Sequence, residues 1–417
     1  MKPRWLEPRL RSALANFPVV FVQGPRRAGK STLSEKVAHS LRMRIVNLDE
    51  QAPREAAKAD PDGFIRDLGP LVMVDEVQRA PGLFLAIKAA VDRDAVPGRF
   101  LLTGSTSAML LPALAEALVG RMAILTLLPL SQGEMEGRME GFLEAVCSVE
   151  DPKVKEGGPT RSELLARALA GGFPEPLAMD KAEVGGWFLS YMTTVIARQV
   201  AEARDIARQA DLRRIVATLA ARTCSTLDIT GFSRETGIPR TSLNRYLLLL
   251  EGVQAVTRVP AWVPSRDSRG GKRPRYHLVD SGLLSSVLGV RGESITDAGE
   301  DAGKVLETFA LQEIARQQTW SRGGLGLHHY RRDDVREVDI VLEDGRRRIV
   351  GIEVKSTAGP SSHDFRGLRD LAARAGKRFL RGILLCTTDQ SWSFGDNLHA
   401  LPLSALWRLG AKDVERG

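Results

Sequence analysis

The stretch that decides the fold is "VVFVQGPRRAGKSTL", residues 19–33. It begins with a short run of strand-forming residues, continues into a glycine loop, and then enters a helical pattern. The loop from Gly24 to Ser31 fits the pattern GxxxxGK[ST], and here it stands between a strand and a helix, which is the context that the pattern requires. The stretch therefore predicts a P-loop that binds the phosphates of a nucleotide.

The residue types in this loop explain the expected chemistry. Gly24 and Gly29 let the backbone curl so that its amides face phosphate oxygens, and the helix N-terminus adds positive potential. Lys30 is expected to reach the β- and γ-phosphates, and the Ser31 hydroxyl to ligate Mg²⁺. ATP and Mg²⁺ are thus the predicted cofactors. The predicted nucleotide-binding residues are Gly24, Pro25, Arg26, Arg27, Ala28, Gly29, Lys30, Ser31 and Thr32.

Three further apolar runs follow this stretch, and each ends in polar residues: "RIVNLDE", "LVMVDEV" and "RFLLTGS". Helical patterns such as "STLSEKVAHSL" and "GLFLAIKAAVDR" lie between the runs. Apolar runs separated by helices are typical of parallel strands that are buried on both faces, and ligands sit at the carboxyl ends of such strands. The predicted fold class is α/β, a P-loop NTPase parallel sheet with helices on both faces.

Polar residues at these strand ends are the candidate catalytic groups. Asp75 is expected to hold Mg²⁺ through water, and Glu76 to polarise the attacking water. Thr103 or Ser105 could hydrogen-bond the γ-phosphate or the lytic water, although Thr and Ser also commonly cap helices. Arg121 could approach the γ-phosphate of the same or a neighbouring subunit, or be a surface arginine. The predicted catalytic set is Glu76, Lys30, Thr103, Ser105 and Arg121.

The rest of the chain divides by composition and pattern. A polar stretch rich in Pro and Gly, "SVEDPKVKEGGPTRSE", indicates a linker or surface loop, and a helical pattern broken by "GGFPEP" follows. Helix, turn, helix, strand, basic loop and strand then predict a winged helix-turn-helix. A second α/β unit ends the chain. The predicted domains are residues 1–147 (ATPase), 148–210 (linker and helices), 211–290 (winged helix) and 291–417 (C-terminal α/β unit).

The bulk composition limits the classes of partner and compartment. The net charge of +8 is compatible with a polyanionic partner, although an arginine-rich proteome would also explain it. Three widely separated cysteines favour neither a disulfide framework nor a structural zinc site, so a reducing compartment is expected. The N-terminus has no secretory signal pattern, and no run of about 18 apolar residues is present. We therefore expect a cytoplasmic protein without a membrane partner.

A second candidate site lies in "EVDIVLEDGRRRIVGIEVKS", residues 337–356, which reads as a β-hairpin. Glu353 and Lys355 are two residues apart, so they share one face of a strand. A two-residue loop would place Asp339 on the other face, whereas a three-residue loop, Asp344 to Arg346, pairs Asp339 with Gly351 and keeps it on the same face.

With the three-residue loop, the sequence predicts that Asp339 and Glu353 bind Mg²⁺ and that Lys355 steadies or deprotonates the attacking water. Glu307, on the preceding helix, would add a third carboxylate to this metal-dependent nuclease-like site. The alternative is a surface hairpin with mixed charges.

The predicted winged helix offers a nucleic-acid surface. Its second helix would bind DNA near Asn244 and Arg245. The residues of its basic wing that would contact phosphates are Arg266, Arg269, Lys272, Arg273 and Arg275. The alternative is a lid or an oligomerisation element.

The chain resembles a prokaryotic family of AAA+-like P-loop ATPases with a C-terminal domain of unknown function. The matching stretches include "GPRRAGKSTL", "NLDE", "LVMVDEVQ", "FLLTGSTS", "LVGR", "LPLS", "GGFPEP", "YHLVDSGLLSSVLGV", "VLETFALQEI" and "REVDIVLE", followed by "GIEVKS". The resemblance implies an ATPase core with an additional strand, Glu76 as the catalytic acid, and a C-terminal unit similar to the PD-(D/E)XK nuclease fold. Members often carry Arg-Asp where this chain has Arg198 and Gln199.

The first functional prediction is an Mg²⁺-dependent ATPase that acts on or near nucleic acid, with a nuclease-like C-terminal unit, and that forms a homo-oligomer. The alternative is a conformational switch in which ATP binding changes the docking of a protein partner. In that alternative the C-terminal unit is an inert scaffold.

Overall fold

The computed structural model contains two large β-sheets, one near each end of the chain, together with helices and two pairs of short strands. It describes residues 2–108, 118–148, 150–154, 157–196, 209–265, 272–290, 299–321, 323–333, 335–410 and 412–413.

The N-terminal unit contains a five-stranded sheet in the order β2-β3-β4-β1-β5, and all its neighbouring strands are parallel. Its elements are α1 (Glu7–Asn16), β1 (Val19–Gln23), α2 (Lys30–Ser40), β2 (Arg44–Asn47), α3 (Gln51–Ala59), α4 (Pro61–Asp67), β3 (Val72–Asp75), α5 (Leu83–Arg93), β4 (Phe100–Gly104) and β5 (Met122–Thr126). This arrangement confirms the predicted α/β class and the parallel P-loop sheet.

The central strands of this sheet are buried on both faces, as their continuous apolar sequences require. Val19 and Phe21 on β1 pack into the core on one face, and Val20 and Val22 pack with α1 and α2 on the other. The carboxyl ends of β1, β3 and β4 consequently meet at one edge, beside the loop that follows Gln23.

Helices dominate the middle of the chain. The elements here are α6 (Gln132–Glu136), β6 (Arg138–Met139), α7 (Phe142–Cys147), α8 (Arg161–Ala170), α9 (Lys181–Ser190), a π-helical turn (Tyr191–Ile196), α10 (Gln209–Ala221), α11 (Ile229–Thr236), α12 (Arg240–Gly252), β7 (Val256–Val259), β8 (Arg275–Leu278) and α13 (Ser281–Leu288). Strands β7 and β8 pair in antiparallel fashion after α11 and α12, two helices that contact each other and are separated by a short turn.

The C-terminal unit is a mixed six-stranded sheet in the order β13-β14-β12-β11-β10-β9. Its elements are α14 (Glu300–Trp320), β9 (Gly326–Arg331), β10 (Glu337–Glu343), β11 (Ile349–Val354), α15 (Arg366–Ala375), β12 (Phe379–Cys386), β13 (Trp392–Ser393), β14 (Leu398–Pro402), α16 (Ala405–Arg408) and β15 (Lys412–Asp413). Helix α14 packs in the apolar core on one face, and α15 in the core on the other.

The hairpin formed by β10 and β11 has a longer turn than the three-residue loop predicted from the sequence. The loop comprises residues 344–348, and the Asp344 carboxylate accepts hydrogen bonds from the backbone amides of Arg346 and Arg348 at 2.9 and 2.8 Å. The prediction that Asp339 pairs with Gly351 is therefore wrong, because Gly351 lies opposite Val341. The ladder ends at Ile340 and Ile352, so the next residues outward are Asp339 and Glu353.

Among the described residues, no helix is long and apolar enough to cross a membrane.

Candidate functional site

The loop after β1 has the backbone geometry that a phosphate cradle needs. Gly29 caps α2 with a φ of 95°, in the left-handed region that glycine adopts without steric cost. A Cβ on Gly24 would stand 2.2 Å from the carbonyl oxygen of Leu127, so a larger residue would displace the loop. The helix begins at Lys30, and its first amides lie at the end of the loop.

Lys30 is enclosed at the base of this loop. Only 4% of the residue is exposed, and its ammonium donates to the carbonyl oxygen of Pro25 at 3.0 Å. Burial lowers the pKa of Lys30 to about 8, even though the carboxylates of Glu76 and Asp75 oppose this shift. The side chain is thus a cation held without full solvation, and phosphate oxygens would supply the hydrogen bonds that water does not.

Asp75, Ser31 and Thr103 meet at the strand ends. The Ser31 hydroxyl lies 3.0 and 2.9 Å from the two carboxylate oxygens of Asp75. The Thr103 hydroxyl donates to the same carboxylate and accepts from the backbone amide of Glu76 at 3.2 Å. A hydroxyl and a carboxylate within hydrogen-bond reach are oxygen donors that suit Mg²⁺, so these residues fit the implied ion.

Glu76 stands beside this group in a strained conformation. Its φ is 54°, which is unusual for a residue with a side chain and is common at functional sites. Its carboxylate accepts hydrogen bonds from Ser105, at 3.2 Å, and from the amide of Gln78. Gln78 also donates to Ser105 at 3.2 Å. Gln78 was not predicted as a site residue, although its position two residues after Glu76 was a usable signal.

Arg121 lies at the opposite edge of the sheet. Its carbonyl oxygen accepts from the amide of Val19, the first residue of β1, and its guanidinium pairs with Asp92 at 2.7 Å. Strand β1 has five residues, which span roughly 15 Å, and the P-loop follows its other end. The prediction that Arg121 reaches the γ-phosphate of its own subunit is therefore wrong; a role in a neighbouring subunit stays a prediction.

The P-loop also contacts the helical middle of the chain. The Arg27 guanidinium pairs with Glu175 of the "GGFPEP" stretch, and Glu175 accepts from the Trp187 indole at 2.8 Å. The Tyr191 hydroxyl donates to the carbonyl oxygen of Arg26 at 3.2 Å. These partners were missed because each is more than 100 residues away from the loop.

The residues of the second candidate site come together on the C-terminal unit. Asp339 accepts from the backbone amide of Val354 at 2.9 Å, and Lys355 pairs with Glu353 at 2.7 Å. Burial and the neighbouring Asp339 carboxylate raise the pKa of both Glu307 and Glu353. The four predicted residues Glu307, Asp339, Glu353 and Lys355 are thus electrostatic neighbours.

Arg275 occupies the centre of this acidic cluster. One guanidinium nitrogen is 3.1 Å from Glu307 and 3.3 Å from Asp339, and the other is 2.7 Å from Glu337. The residue is 0% exposed, so the prediction that it contacts nucleic-acid phosphates from the wing is wrong. The guanidinium pairs with two of the three carboxylates predicted to ligate Mg²⁺. In this conformation the arginine therefore provides the positive charge between them.

The same site borders an open pocket. The pocket has a volume of about 300 Å³ and is lined by Glu337, Glu353, Lys355, His363, Asp364 and Arg366, among others. Burial opposes the charge of Lys355, but the Glu353 and Asp339 carboxylates outweigh it and raise the pKa of the ammonium. The Lys355 side chain is 43% exposed, which leaves it accessible to an anion in the pocket.

The remaining predicted nucleic-acid residues differ in their surroundings. Asn244 on α12 and Lys272 and Arg273 before β8 are exposed, and Arg245 is half-buried. Arg273 also pairs with Asp228 at 3.4 Å. Arg198, Gln199, Arg266 and Arg269 lie outside the described residues.

Comparison with known families divides the chain into three parts. Residues 16–136 match the family model described as an AAA domain. Residues 161–294 and 302–406 match two models described as domains of unknown function, DUF8612 and DUF4143 respectively.

Similar proteins match between 58% and 97% of this chain. Uncharacterized protein Mb2031c of Mycobacterium bovis and Uncharacterized protein Rv2008c of Mycobacterium tuberculosis are each 28% identical over 407 residues, which is 97% of this chain and 84% of theirs. The Walker-type ATPase PABY2304 of Pyrococcus abyssi is 17% identical, with a TM-score of 0.42 over 69% of this chain and 96% of that one. AMPPCP-bound DnaA from Aquifex aeolicus is 13% identical, with a TM-score of 0.29 over 58% of this chain and 86% of that one.

The AAA-domain match covers the P-loop, Asp75, Glu76 and Thr103. Together, the match and the geometry support an AAA+-like P-loop ATPase, and so ATP binding and hydrolysis, for the N-terminal part of the chain.

Proposed function

We propose that the protein is an Mg²⁺-dependent ATPase that acts on or near nucleic acid. The observation that carries the ATPase assignment is the convergence of Lys30, Ser31, Asp75 and Glu76 at one sheet edge. Ser31 and Asp75 would hold Mg²⁺, which supplies positive charge beside the phosphates when it is bound. Lys30 would bind phosphate oxygens, and Glu76 would orient the attacking water and accept its proton.

Contacts from the nucleotide site support coupling to the rest of the chain. Ser105 hydrogen-bonds Glu76, and two residues later the amide of Ser107 donates to the carbonyl oxygen of Gly252, the last residue of α12, at 2.8 Å. On the other side of the loop, Arg27 pairs with Glu175. Loss or gain of the γ-phosphate would thus shift the conformational equilibrium of both the helix–turn–helix and the helical middle segment.

The proposed nucleic-acid surface is the exposed side of the helix–turn–helix and its wing, treated as a winged helix. Asn244 lies exposed on the second helix, and Lys272 and Arg273 are exposed before β8. The test is the rate of ATP hydrolysis with and without single-stranded DNA, duplex DNA and RNA, together with gel shifts at increasing salt. The proposal predicts stimulation by one of these polymers and an affinity that falls steeply with salt. No stimulation and no salt-dependent shift would contradict it.

The second candidate function is a conformational switch for a protein partner, with an inert C-terminal unit similar in fold to PD-(D/E)XK nucleases. The specific observation in its favour is Arg275, which pairs with Glu307 and Asp339. A metal-dependent nuclease would need this guanidinium to move. The discriminating measurement is Mn²⁺-dependent nicking of plasmid and single strands by the wild type and by Asp339→Ala and Glu353→Ala. Cleavage that both substitutions abolish favours the nuclease, and absence of cleavage favours the switch.

We further propose that the protein forms a homo-oligomer in which Arg121 acts on the neighbouring subunit's nucleotide. The Arg121 side chain is 41% exposed and lies across the sheet from its own P-loop. An arginine supplied by another subunit can accelerate phosphoryl transfer. ATP turnover per subunit should then rise with protein concentration in the wild type and stay flat in Arg121→Ala, whereas equal profiles would contradict this role.

A further inference from the structure

Cys224, His277 and Glu307 form a cluster next to the acidic centre. Cys224 precedes α11, His277 lies on β8, and Glu307 lies on α14. The thiol sulfur, a ring nitrogen of His277 and a carboxylate oxygen all lie within 4.8 Å of one another. The cluster is separate from the ATP site and shares Glu307 with the acidic centre around Arg275.

His277 is oriented as metal-binding histidines are. Its Nδ1 lies 3.2 Å from the Thr308 hydroxyl, while its Nε2 has no hydrogen-bond partner among the residues that the structure describes, although His277 is only 1% exposed. The nearest carboxylate oxygen, on Glu307, is 4.0 Å away. An imidazole whose Nδ1–H is held by an oxygen presents the lone pair of Nε2, which is the usual arrangement behind a metal ligand. An unpartnered buried nitrogen is otherwise unfavourable.

Cys224 adds an independent observation. Its φ is 69°, in the left-handed region that residues with a Cβ rarely adopt, and such strain concentrates at functional sites. The thiol lies 3.7 Å from the carbonyl oxygen of Lys304, which is a weak contact. The sulfur lies beside α14, the helix that carries both Lys304 and Glu307.

The charge around the cluster favours an added cation. Glu307, Glu337 and Asp339 surround Arg275, and Glu353 pairs with Lys355. Four carboxylates thus face two cationic side chains among these residues. Metal binding would add the Cys224 thiolate to these anions, and a divalent ion would offset the thiolate charge and one of the two carboxylate charges that the cations leave.

We propose that Cys224, His277 and Glu307 bind a borderline-soft divalent metal ion of the Zn²⁺ class. Thiolate and imidazole ligands favour Zn²⁺ over Mg²⁺, which prefers oxygen. Tetrahedral zinc with bonds of about 2.0–2.3 Å places its ligand atoms roughly 3.5 Å apart, so the side chains must close by about 1 Å. Binding converts the thiol to a zinc-bound thiolate and releases one proton to solvent. Three protein ligands leave a fourth position for water.

The location gives the metal a structural consequence. It would join the segment before α11, strand β8 and helix α14, and thereby fix the helix–turn–helix unit to the C-terminal sheet. The site differs from the Mg²⁺ site predicted on Asp339 and Glu353 in both ligand chemistry and position, although both would use Glu307.

Cobalt substitution of the full chain tests the proposal. Co²⁺ bound by a thiolate gives a near-ultraviolet charge-transfer band, which we expect in the wild type and expect to be lost in Cys224→Ser and weakened in His277→Gln. Cys147→Ser and Cys386→Ser are matched controls, because both cysteines are free and lie outside the cluster. Metal analysis should find one Zn²⁺ per wild-type chain. A charge-transfer band that persists in Cys224→Ser, or an equal zinc content in the wild type and Cys224→Ser, would overturn the assignment.

A second measurement uses the wild type alone and so does not depend on how the variants fold. Alkylation of Cys224 is followed by peptide mapping with Zn²⁺, with Mg²⁺ and with no added metal. We expect Zn²⁺ to slow modification of Cys224 at least tenfold and Mg²⁺ to leave it unchanged. Equal rates with Zn²⁺ and without metal would contradict the proposal.

Discussion

The P-loop site and the acidic centre of the C-terminal unit both gather carboxylates at strand ends, but they balance that charge differently. At the P-loop, Lys30 and the Ser31 hydroxyl stand near Asp75 and Glu76, a set of groups that can exchange partners with phosphates and Mg²⁺. In the acidic centre, the fully buried Arg275 of β8 is ion-paired with three carboxylates. The first arrangement suits turnover and the second suits a fixed structure, so similar acidic sequences do not imply similar chemistry.

The largest effect that would test this comparison is on ATP hydrolysis. Glu76→Gln should retain ATP binding and lose about 10²–10⁴-fold in kcat, because an amide cannot accept the proton of the attacking water. The measurements are single-turnover hydrolysis and nucleotide affinity. Gln78→Ala is a useful control, since it removes a hydrogen bond to Glu76 but leaves the carboxylate. Normal turnover by Glu76→Gln would assign the base to another residue.

Removing the arginine from the C-terminal centre should be nearly as disruptive. Arg275→Met is expected to destabilise the fold by about 3 kcal/mol in EDTA, because Glu307 and Asp339 lose their shared cation. Mn²⁺ should restore part of that stability if these carboxylates can bind a metal. Urea unfolding with EDTA and with Mn²⁺ provides the measurement.

Arg273→Met is the matched control for this substitution, because Arg273 is exposed and its charge lies two residues away. It should change stability by less than about 0.5 kcal/mol. An Arg275→Met protein as stable as the wild type would mean that the acidic centre does not depend on a fixed cation, and so does not differ in this respect from the P-loop site.

The third effect concerns ATP affinity. Lys30→Ala should weaken ATP binding by about 10²-fold, since hydrogen bonds to charged groups contribute about 1.5–3 kcal/mol each. Equilibrium binding of ATP to both proteins measures the change. Lys36→Ala, on the exposed side of the same helix, should bind ATP as the wild type does. Wild-type affinity in Lys30→Ala would contradict the assignment of the P-loop.

The comparison also explains which features could be predicted from the sequence. The P-loop depends on a local pattern of strand, glycine loop and helix. Its position and the roles of Gly24 and Lys30 could therefore be predicted from neighbouring residues. Asp75 and Glu76 were identified because strand ends in a parallel sheet converge. The prediction that Arg121 acts in its own subunit was wrong because Arg121 directly precedes β5. The beginning of a parallel strand lies at the end of the sheet opposite the P-loop.

The C-terminal centre was harder because its outcome depends on tertiary docking. The alternation of side chains along each strand correctly predicted that Asp339 and Glu353 lie close together. The Asp344 side chain, however, lengthens the turn and shifts the register by two residues. Nothing local to Arg275 distinguishes it from the basic residues before it. Its burial arises only when β8 packs against α14 and β10.

The smallest predicted effect is the dependence of ATP affinity on pH, and it is specific to the P-loop. Burial lowers the pKa of Lys30 to about 8 in the free protein. Bound phosphates need the charged ammonium, so ATP affinity should fall about threefold between pH 7.5 and 8.5 as that pKa is crossed.

The free energy of unfolding without ATP should move in the opposite direction and rise with pH. The unfolded lysine keeps its proton up to about pH 10.4, so the cost of burying the charge is fully present below pH 8 and is relieved as pH rises towards 10.4. ATP titrations and urea unfolding across this range, with Lys30→Met as the control that lacks the titrating group, measure both trends. A Lys30→Met protein with the same pH profile as the wild type would assign the dependence to another group.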